Sequence, residues 1–482
     1  MSRQTSSVRT ALTHAGRKVL PESTQANPRL RQVIADRREI AAMTRDRVSS
    51  PIAAFKFYAL TTPGKLVVIM FALTLASLLT GWYSSATLNE RSQTLESLID
   101  RSEPLAESAE VLYSSLSVAD AAANSAFISG GRESPDLRRL YADAIASSGT
   151  SLVASADGGA PASTTSGPGA RISIRDDLDT MAVQIPTYTG VIETARTNNR
   201  LGNPVGSAYL VQASSLMQDE ILPAAQRLYD ERSAAISEPQ RTLTVPPWGM
   251  YVALFGTIVM LLGCGRYLAY RTRRHFNIGL VLGAVALMVG TLWLLVTGLT
   301  SVAAANTAKN SGAEPLHELT TMRILTQQAR SVETLGLIRR SDPGAGDRNF
   351  SAAIDQIRTK ASALLAEHEN EPGLRDPLQQ VQTSIVQWER AHREVSRRLA
   401  AGDFNAARSL TIGTGTISTA SGYEQVNASL LSAIDDTRST FRNNIHTAQQ
   451  LLGYTGTGIG WLCVVAAVAV VAGLVQRIRE YR

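Results

Sequence analysis

The chain has 482 residues but only two cysteines, Cys264 and Cys463, and both lie inside apolar stretches. They can build no disulfide framework in the polar segments, and buried free thiols are the ordinary role for such residues. Six histidines, at 14, 275, 317, 368, 392 and 446, are spread through the chain. No HExxH pair, CxxC, phosphate-binding loop or nucleophile elbow occurs. Ile412-Gly-Thr-Gly-Thr resembles a piece of a glycine-rich loop, but no strand precedes it, so a helix break is expected there. We therefore expect no enzyme and no cofactor or metal.

Charge is absent from four blocks: Leu66 to Tyr83, Trp248 to Gly265, Phe276 to Thr300 and Thr455 to Val475. A membrane span needs roughly 20 apolar residues, and each block approaches or exceeds that length. Ion and proton pathways usually carry charged groups at depth or broken helices, so a transporter is disfavoured. The first block starts too late for a cleavable signal peptide and is long enough to span.

The positive charge is unevenly placed. Residues 1 to 65 carry twelve Lys/Arg and four Asp/Glu; the stretch 266 to 276 carries four Arg and no acid. The last seven residues carry three Arg and one Glu. Between the blocks the balance changes, with 12 basic against 20 acidic residues in 84 to 246 and 16 against 16 in 301 to 454. Arginines are retained on the cytoplasmic side of a bilayer, so the basic pieces mark the inner face and nucleic-acid binding is not needed to explain them. Trp82, Trp248, Trp293 and Trp461 fall near the outer ends of the four blocks, as an aromatic belt requires.

These features predict an all-α membrane protein with four transmembrane helices and two tandem extracytoplasmic four-helix bundles. A basic cytoplasmic tail occupies 1–64, partly disordered, with a possible lipid-surface helix at Leu30 to Arg47. Spans are expected at 65–83, 247–265, 277–300 and 455–475. The bundles then occupy 84–246 and 301–454, a basic cytoplasmic turn 266–276 and a short cytoplasmic tail 476–482. Leu98, Leu105, Leu112 and Ala119 recur every seven residues, so the first membrane helix is expected to run outward to about Ser129. Further helices are expected over Pro135 to Val153, Ile172 to Leu201 with a kink at Pro186, and Val205 to about Ser237. Ser155 to Ala170 reads as a low-complexity loop.

The second half repeats the order of features. Ser-Glu-Pro-Leu at 102 to 105 matches Ala-Glu-Pro-Leu at 313 to 316. Tyr188 matches Trp388, and Leu201-Gly-Asn-Pro matches Ala401-Gly-Asp-Phe. A tandem duplication of span, bundle, span is the expectation.

Several residues are candidates for function. Arg390, Arg393, Arg397 and Arg398, beside His392, could hold an anionic partner or ligand; the alternative is a solvated face with pairs Glu389–Arg393 and Glu394–Arg398. Asp176, Asp177 and Asp179 could bind a cation weakly, or simply occupy the first turn of a helix. Arg266, Arg271, Arg273 and Arg274 could present a cytoplasmic readout. Gly279, Gly283, Ala286 and Gly290 form a small-residue stripe suited to helix packing.

Helices that pass from an outer bundle into the membrane suit a sensor, and the inner pieces are too short to be a kinase or cyclase, so output must pass to another protein. With Ser-Leu-Met-Gln-Asp-Glu-Ile-Leu-Pro-Ala-Ala at 215 to 225, the four-span plan resembles the actinobacterial GlnX-type membrane proteins. That resemblance implies a relay of amino-acid availability from an extracytoplasmic solute-binding lipoprotein to a soluble serine/threonine kinase. The basic flanks predict a plasma-membrane location with both termini cytoplasmic. A homodimer is possible on this architecture. A structural or assembly factor of the cell envelope is the alternative, and direct sensing of a small ligand by the bundles is a third.

Overall fold

The computed structural model describes residues 62–129, 133–157, 168–272, 277–339, 343–413, 415 and 417–480. The expected basic tail lies outside the described residues, as do Arg273, Arg274 and the side chain of Arg271. Every described element is helical. The first half comprises α1 (Thr62–Ser97), a π-helical turn π1 (Leu98–Ser102), α2 (Glu103–Ile128), α3 (Pro135–Asp157) and α4 (Pro168–Arg200). It continues with α5 (Val205–Leu216), π2 (Met217–Ile221), α6 (Leu222–Leu243) and α7 (Trp248–Thr272). The second half comprises α8 (Ile278–Ala308), π3 (Lys309–Ala313), α9 (Glu314–Arg339), α10 (Pro343–Glu367), α11 (Pro372–Ala400), α12 (Phe404–Ile412), α13 (Thr419–Gly453) and α14 (Thr455–Glu480). Contacts divide the chain into two compact units. Leu73–Gly473 is the larger, and the smaller holds 1–72 with 474–482.

Four helical stretches are long and apolar enough to cross a membrane, which makes this an all-α multi-pass membrane protein. Their large side chains face outward: Trp82, Trp461, Phe255 and Val468 are all more than 60% exposed. A surface of that kind belongs against lipid. Between spans the contacts are close. The hydroxyls of Thr80 and Thr257 hydrogen-bond at 2.8 Å between α1 and α7, and Asn277 donates its amide to the Gly473 carbonyl at 3.2 Å between α8 and α14. The glycine stripe of α8 faces α14. A Cβ added at Gly279 would stand 2.3 Å from the Ala469 carbonyl oxygen and 2.5 Å from the Gly473 Cα; at Gly290 it would meet Ile459 and Leu462 at about 3 Å.

The membrane helix does run on into the bundle, from α1 through π1 to the end of α2. The π turns have a common cause. Each is followed, two residues after its end, by a proline: Pro104, Pro223 and Pro315. A proline lacks the N–H that would bond the carbonyl four residues back, and its ring crowds that carbonyl, so a widened turn accommodates it without ending the helix. Other prolines are absorbed more quietly; α4 continues through Pro186. The expected loop at 155 to 170 is shorter than composition implied, because α3 extends to Asp157 and α4 begins at Pro168.

The first bundle packs α2, α3, α4 and the continuous α5–π2–α6 around Leu112, Leu116, Met181, Tyr188 and Leu228. The second packs α9, α10, α11 and α13 around Leu319, Phe350, Ile385, Trp388 and Leu430. Features recur at matching places. π1 and π3 lie 211 positions apart, and α2 and α9 are both 26 residues long. Gly202 (φ 74°) and Gly402 (φ 77°) each end a helix in the left-handed conformation. In both, the following N–H returns to a carbonyl five residues back at 2.9 Å, Asn203 to Asn198 and Asp403 to Arg398. The halves differ after the fifth helix. The first runs straight on through π2, whereas Gly413 turns extended (ψ 151°) and separates α12 from α13, the break expected at Ile412-Gly.

The packing at Gly279 makes one change decisive. Gly279→Leu should lower the thermal midpoint of the purified protein in detergent by the equivalent of about 1–3 kcal/mol, because the added Cβ meets backbone that cannot swing aside. Gly256→Leu, on α7 with open space around its Cβ, should leave the midpoint nearly unchanged.

Candidate functional site: the charged seam between the bundles

The two bundles are joined along α2 and α9. A surface helix keeps a polar face toward water, but α2 is buried on almost every side. Its sequence is suited to that position, being mostly Ala, Ser and Leu, small enough for neighbours on all faces. Ile324 of α9 belongs to the core of the first bundle rather than the second, so the partition is shared.

Glu103, Glu107 and Glu110 recur at i, i+4 and i+7 and so lie along one stripe of α2. Three arginines of the second half meet them. Arg438 of α13 pairs with Glu103 at 3.1 Å, Glu107 at 3.3 Å and Glu110 at 2.7 Å. Arg442, one turn on, pairs with Glu103 at 2.6 Å and Glu107 at 3.0 Å. Arg323 of α9 donates to Glu110 at 2.8 Å and to the Ser114 hydroxyl at 2.7 Å. Burial pulls the Glu103 carboxyl upward in pKa, and Arg442 and Arg438 partly offset it. Burial works against the Arg438 charge, yet Glu110 and Glu107 outweigh it and hold that guanidinium above its usual value.

The seam continues in neutral form. Gln327 donates to Ser114 and Gln328 to the Tyr113 hydroxyl. Farther along α2, Asp120 is fully buried with no cation against it among the described residues. Its two oxygens accept from Ser214 at 2.8 Å, Ser331 at 3.1 Å, Gln218 at 3.2 Å, Asn124 at 3.3 Å and Tyr188 at 3.4 Å. Burial raises its pKa, and the hydrogen bonds from Ser214, Gln218, Ser331 and Tyr188 counter only part of that.

The second bundle has its own buried carboxylate. Glu333 pairs with Arg330 at 2.7 Å and with Nδ1 of His392 at 2.9 Å, and the indole N–H of Trp388 lies 3.4 Å from its other oxygen. Thus Tyr188 and Trp388, aligned by sequence, each bring a buried aromatic to a buried acid. His392 also reaches Asp347 at 3.2 Å and stacks on Phe350. Burial opposes charge on both partners. The hydrogen bond from His392 and the charge of Arg330 nonetheless hold Glu333 below its ordinary pKa, while Glu333 and Asp347 hold His392 above 6.5.

Beside the seam is an open cleft of about 760 Å³, lined by α2, α6, π3, α9, α10 and α13. Tyr229 and His317 stack within it, ring centroids 6.1 Å apart and planes 4° apart.

The residues singled out from sequence fall elsewhere. Arg390 and Arg393 are exposed. Arg397 and Arg398 clasp Glu394, as a solvated face would. The anticipated Glu389–Arg393 pair is not made; Arg358 of α10 takes Glu389 at 2.7 Å. His392 turns inward, away from that face. Asp177 is buried against Arg227, and since α4 starts at Pro168 the three aspartates do not occupy a first turn. Arg266 donates to the Tyr270 hydroxyl at 2.7 Å. The seam was missed because its partners lie more than 200 residues apart. The available signal was an Ala/Ser-rich helix carrying a stripe of three glutamates, with Arg438 and Arg442 one turn apart elsewhere.

Residues 94–241, which span the first bundle, match a family described as an actinobacterial sensor domain. No curated protein and no solved structure matches the chain.

Two measurements probe these clusters. Arg438→Ala leaves Glu103 and Glu110 short of a partner and should cost about 3–5 kcal/mol in thermal or denaturant unfolding, whereas Arg397→Ala should cost under about 1 kcal/mol. The second concerns pH. The folded-state pKa of His392 is raised, so its contribution is complete below about 6.5 and is lost as pH rises through the folded value. The thermal midpoint should therefore fall above about pH 6.5 in the wild type, and the difference from His392→Gln should shrink over the same window.

Proposed function

We propose that the chain is a non-enzymatic transmembrane sensor whose bundles receive a signal outside the cell and whose spans carry it inward. The observation that carries this reading is the match of residues 94–241 to a sensor domain on helices that lead into the membrane. α2 continues from the first span, α6 leads to the second, α9 continues from the third and α13 leads to the fourth. A repacking at the seam would move these helices by about 1–2 Å, the usual scale for shifts of packed helices.

The finer reading is a relay of amino-acid status. A solute-binding lipoprotein would engage the bundles, and a soluble serine/threonine kinase would read the cytoplasmic side, with both termini and the turn after α7 facing inward. The support is the four-span plan together with the sensor-domain match. Membrane lipid is the remaining partner, held by the apolar span surfaces and basic flanks.

The test is affinity capture of the full-length protein from membranes after crosslinking from the outside. A solute-binding lipoprotein should be recovered, and deletion of the protein should uncouple kinase output from external amino acids. Kinase output that still follows amino-acid supply in the deletion strain would sink the relay.

A further inference from the structure

The cleft beside the seam has the size and chemistry of a ligand site. Its volume of about 760 Å³ lies within the range that holds small molecules, roughly 300–1,000 Å³. Seven carboxylates line it, and five are held by cations: Glu103, Glu107 and Glu110 in the seam, Glu314 by Lys309, and Glu318 by Lys360 at 2.7 Å. Arg438 is committed to the seam and Lys309 to Glu314 at 3.1 Å. Asp230 and Glu367 make no ion pair among the described residues, so their charge is open to an incoming group. Tyr229, 4% exposed, stacks on His317 and gives the cleft one flat wall.

A further observation points to an occupant. Gln240 is 1% exposed, lines the cleft, and its amide nitrogen has no hydrogen-bond partner. A buried donor left unpaired is costly, and an acceptor on a bound molecule would satisfy it. The cleft also touches every helix that leads to a span: Glu107 on α2, Asp230 and Gln240 on α6, His317 on α9, and Phe441 on α13.

We propose that this cleft binds a small organic cation, an amine or guanidine, held by Asp230 and Glu367 against the Tyr229–His317 wall, with Gln240 donating to an acceptor on the same molecule. A basic amino acid supplies both the cation and a carboxylate acceptor; a polyamine supplies the cation alone. Binding would bias the packing of all four long helices at once, a consequence that rests on the sensor reading above, whereas the binding itself does not.

The experiment is titration calorimetry on the full-length protein in nanodiscs with arginine, lysine, putrescine and spermidine, and with glutamate as the anionic control. Saturable binding of the cations with no heat from glutamate is expected, and Asp230→Asn or Glu367→Gln should weaken it by about tenfold. Both side chains are exposed and outside the seam, so the variants should fold, which an unchanged thermal midpoint verifies. Tighter binding of arginine or lysine than of putrescine, lost in Gln240→Leu, would assign the ligand to the basic amino acids. Tighter binding of the polyamines, indifferent to Gln240, would overturn the contact assigned to Gln240. No heat from any cation at millimolar concentration overturns the proposal, as does equal binding of glutamate or full binding in the Asp230→Asn, Glu367→Gln double variant. Intact cation binding with unresponsive kinase output would count against the relay and leave the site standing.

Discussion

The pairing of three glutamates on α2 with Arg323, Arg438 and Arg442 is the constraint from which the arrangement of the larger unit follows. Carboxylates that are nearly buried can stay charged only with cations against them. Once Glu103 and Glu110 face the interior, α9 and α13 must lie alongside with their guanidiniums aimed at α2. That requirement turns two bundles into one body, and it explains why the acidic first segment and the neutral second one belong together. Three of the acids of one are met by arginines of the other.

The seam is also placed where movement would matter. Its helices are the ones that continue into the membrane, and π1 and π3 immediately precede Glu103 and Glu314 within the outer segments. A π turn is a wider and less regular turn than an α turn, and such turns often mark functional positions. The ion pairs hold α2, α9 and α13 to one another, while Pro104 and Pro315 each follow a widened turn.

Asp120 and Glu333 show two solutions to one problem. Asp120 is surrounded by neutral donors and its pKa rises; Glu333 is given Arg330 and His392 and its pKa falls. Both sit on the first helix of their bundle and both receive a buried aromatic from the third. Each bundle thus carries a buried acid on its first helix, two positions apart in the helices' registers, and the groups that meet it differ.

Much of the architecture was legible in the chain because the signals are local. Charge-free runs flanked by lysine or arginine define spans, a seven-residue apolar recurrence defines the helix that leaves the membrane, and Gly202 and Gly402 mark turns that need positive φ. The four arginines of α11 stood out for the same reason, being adjacent in sequence, yet Arg390 and Arg393 face solvent and Arg397 and Arg398 close on Glu394. Local patterning thus determined that this is a four-span, all-helical chain with a repeated order of elements. What only the tertiary structure decided is which polar residues meet. Arg438 and Glu110 are far apart in the chain and each looks like an ordinary solvated charge; only the packing of α13 against α2 removes water from both and makes them partners. The cleft beside them has the same origin, since its walls come from six helical elements that no window of sequence contains.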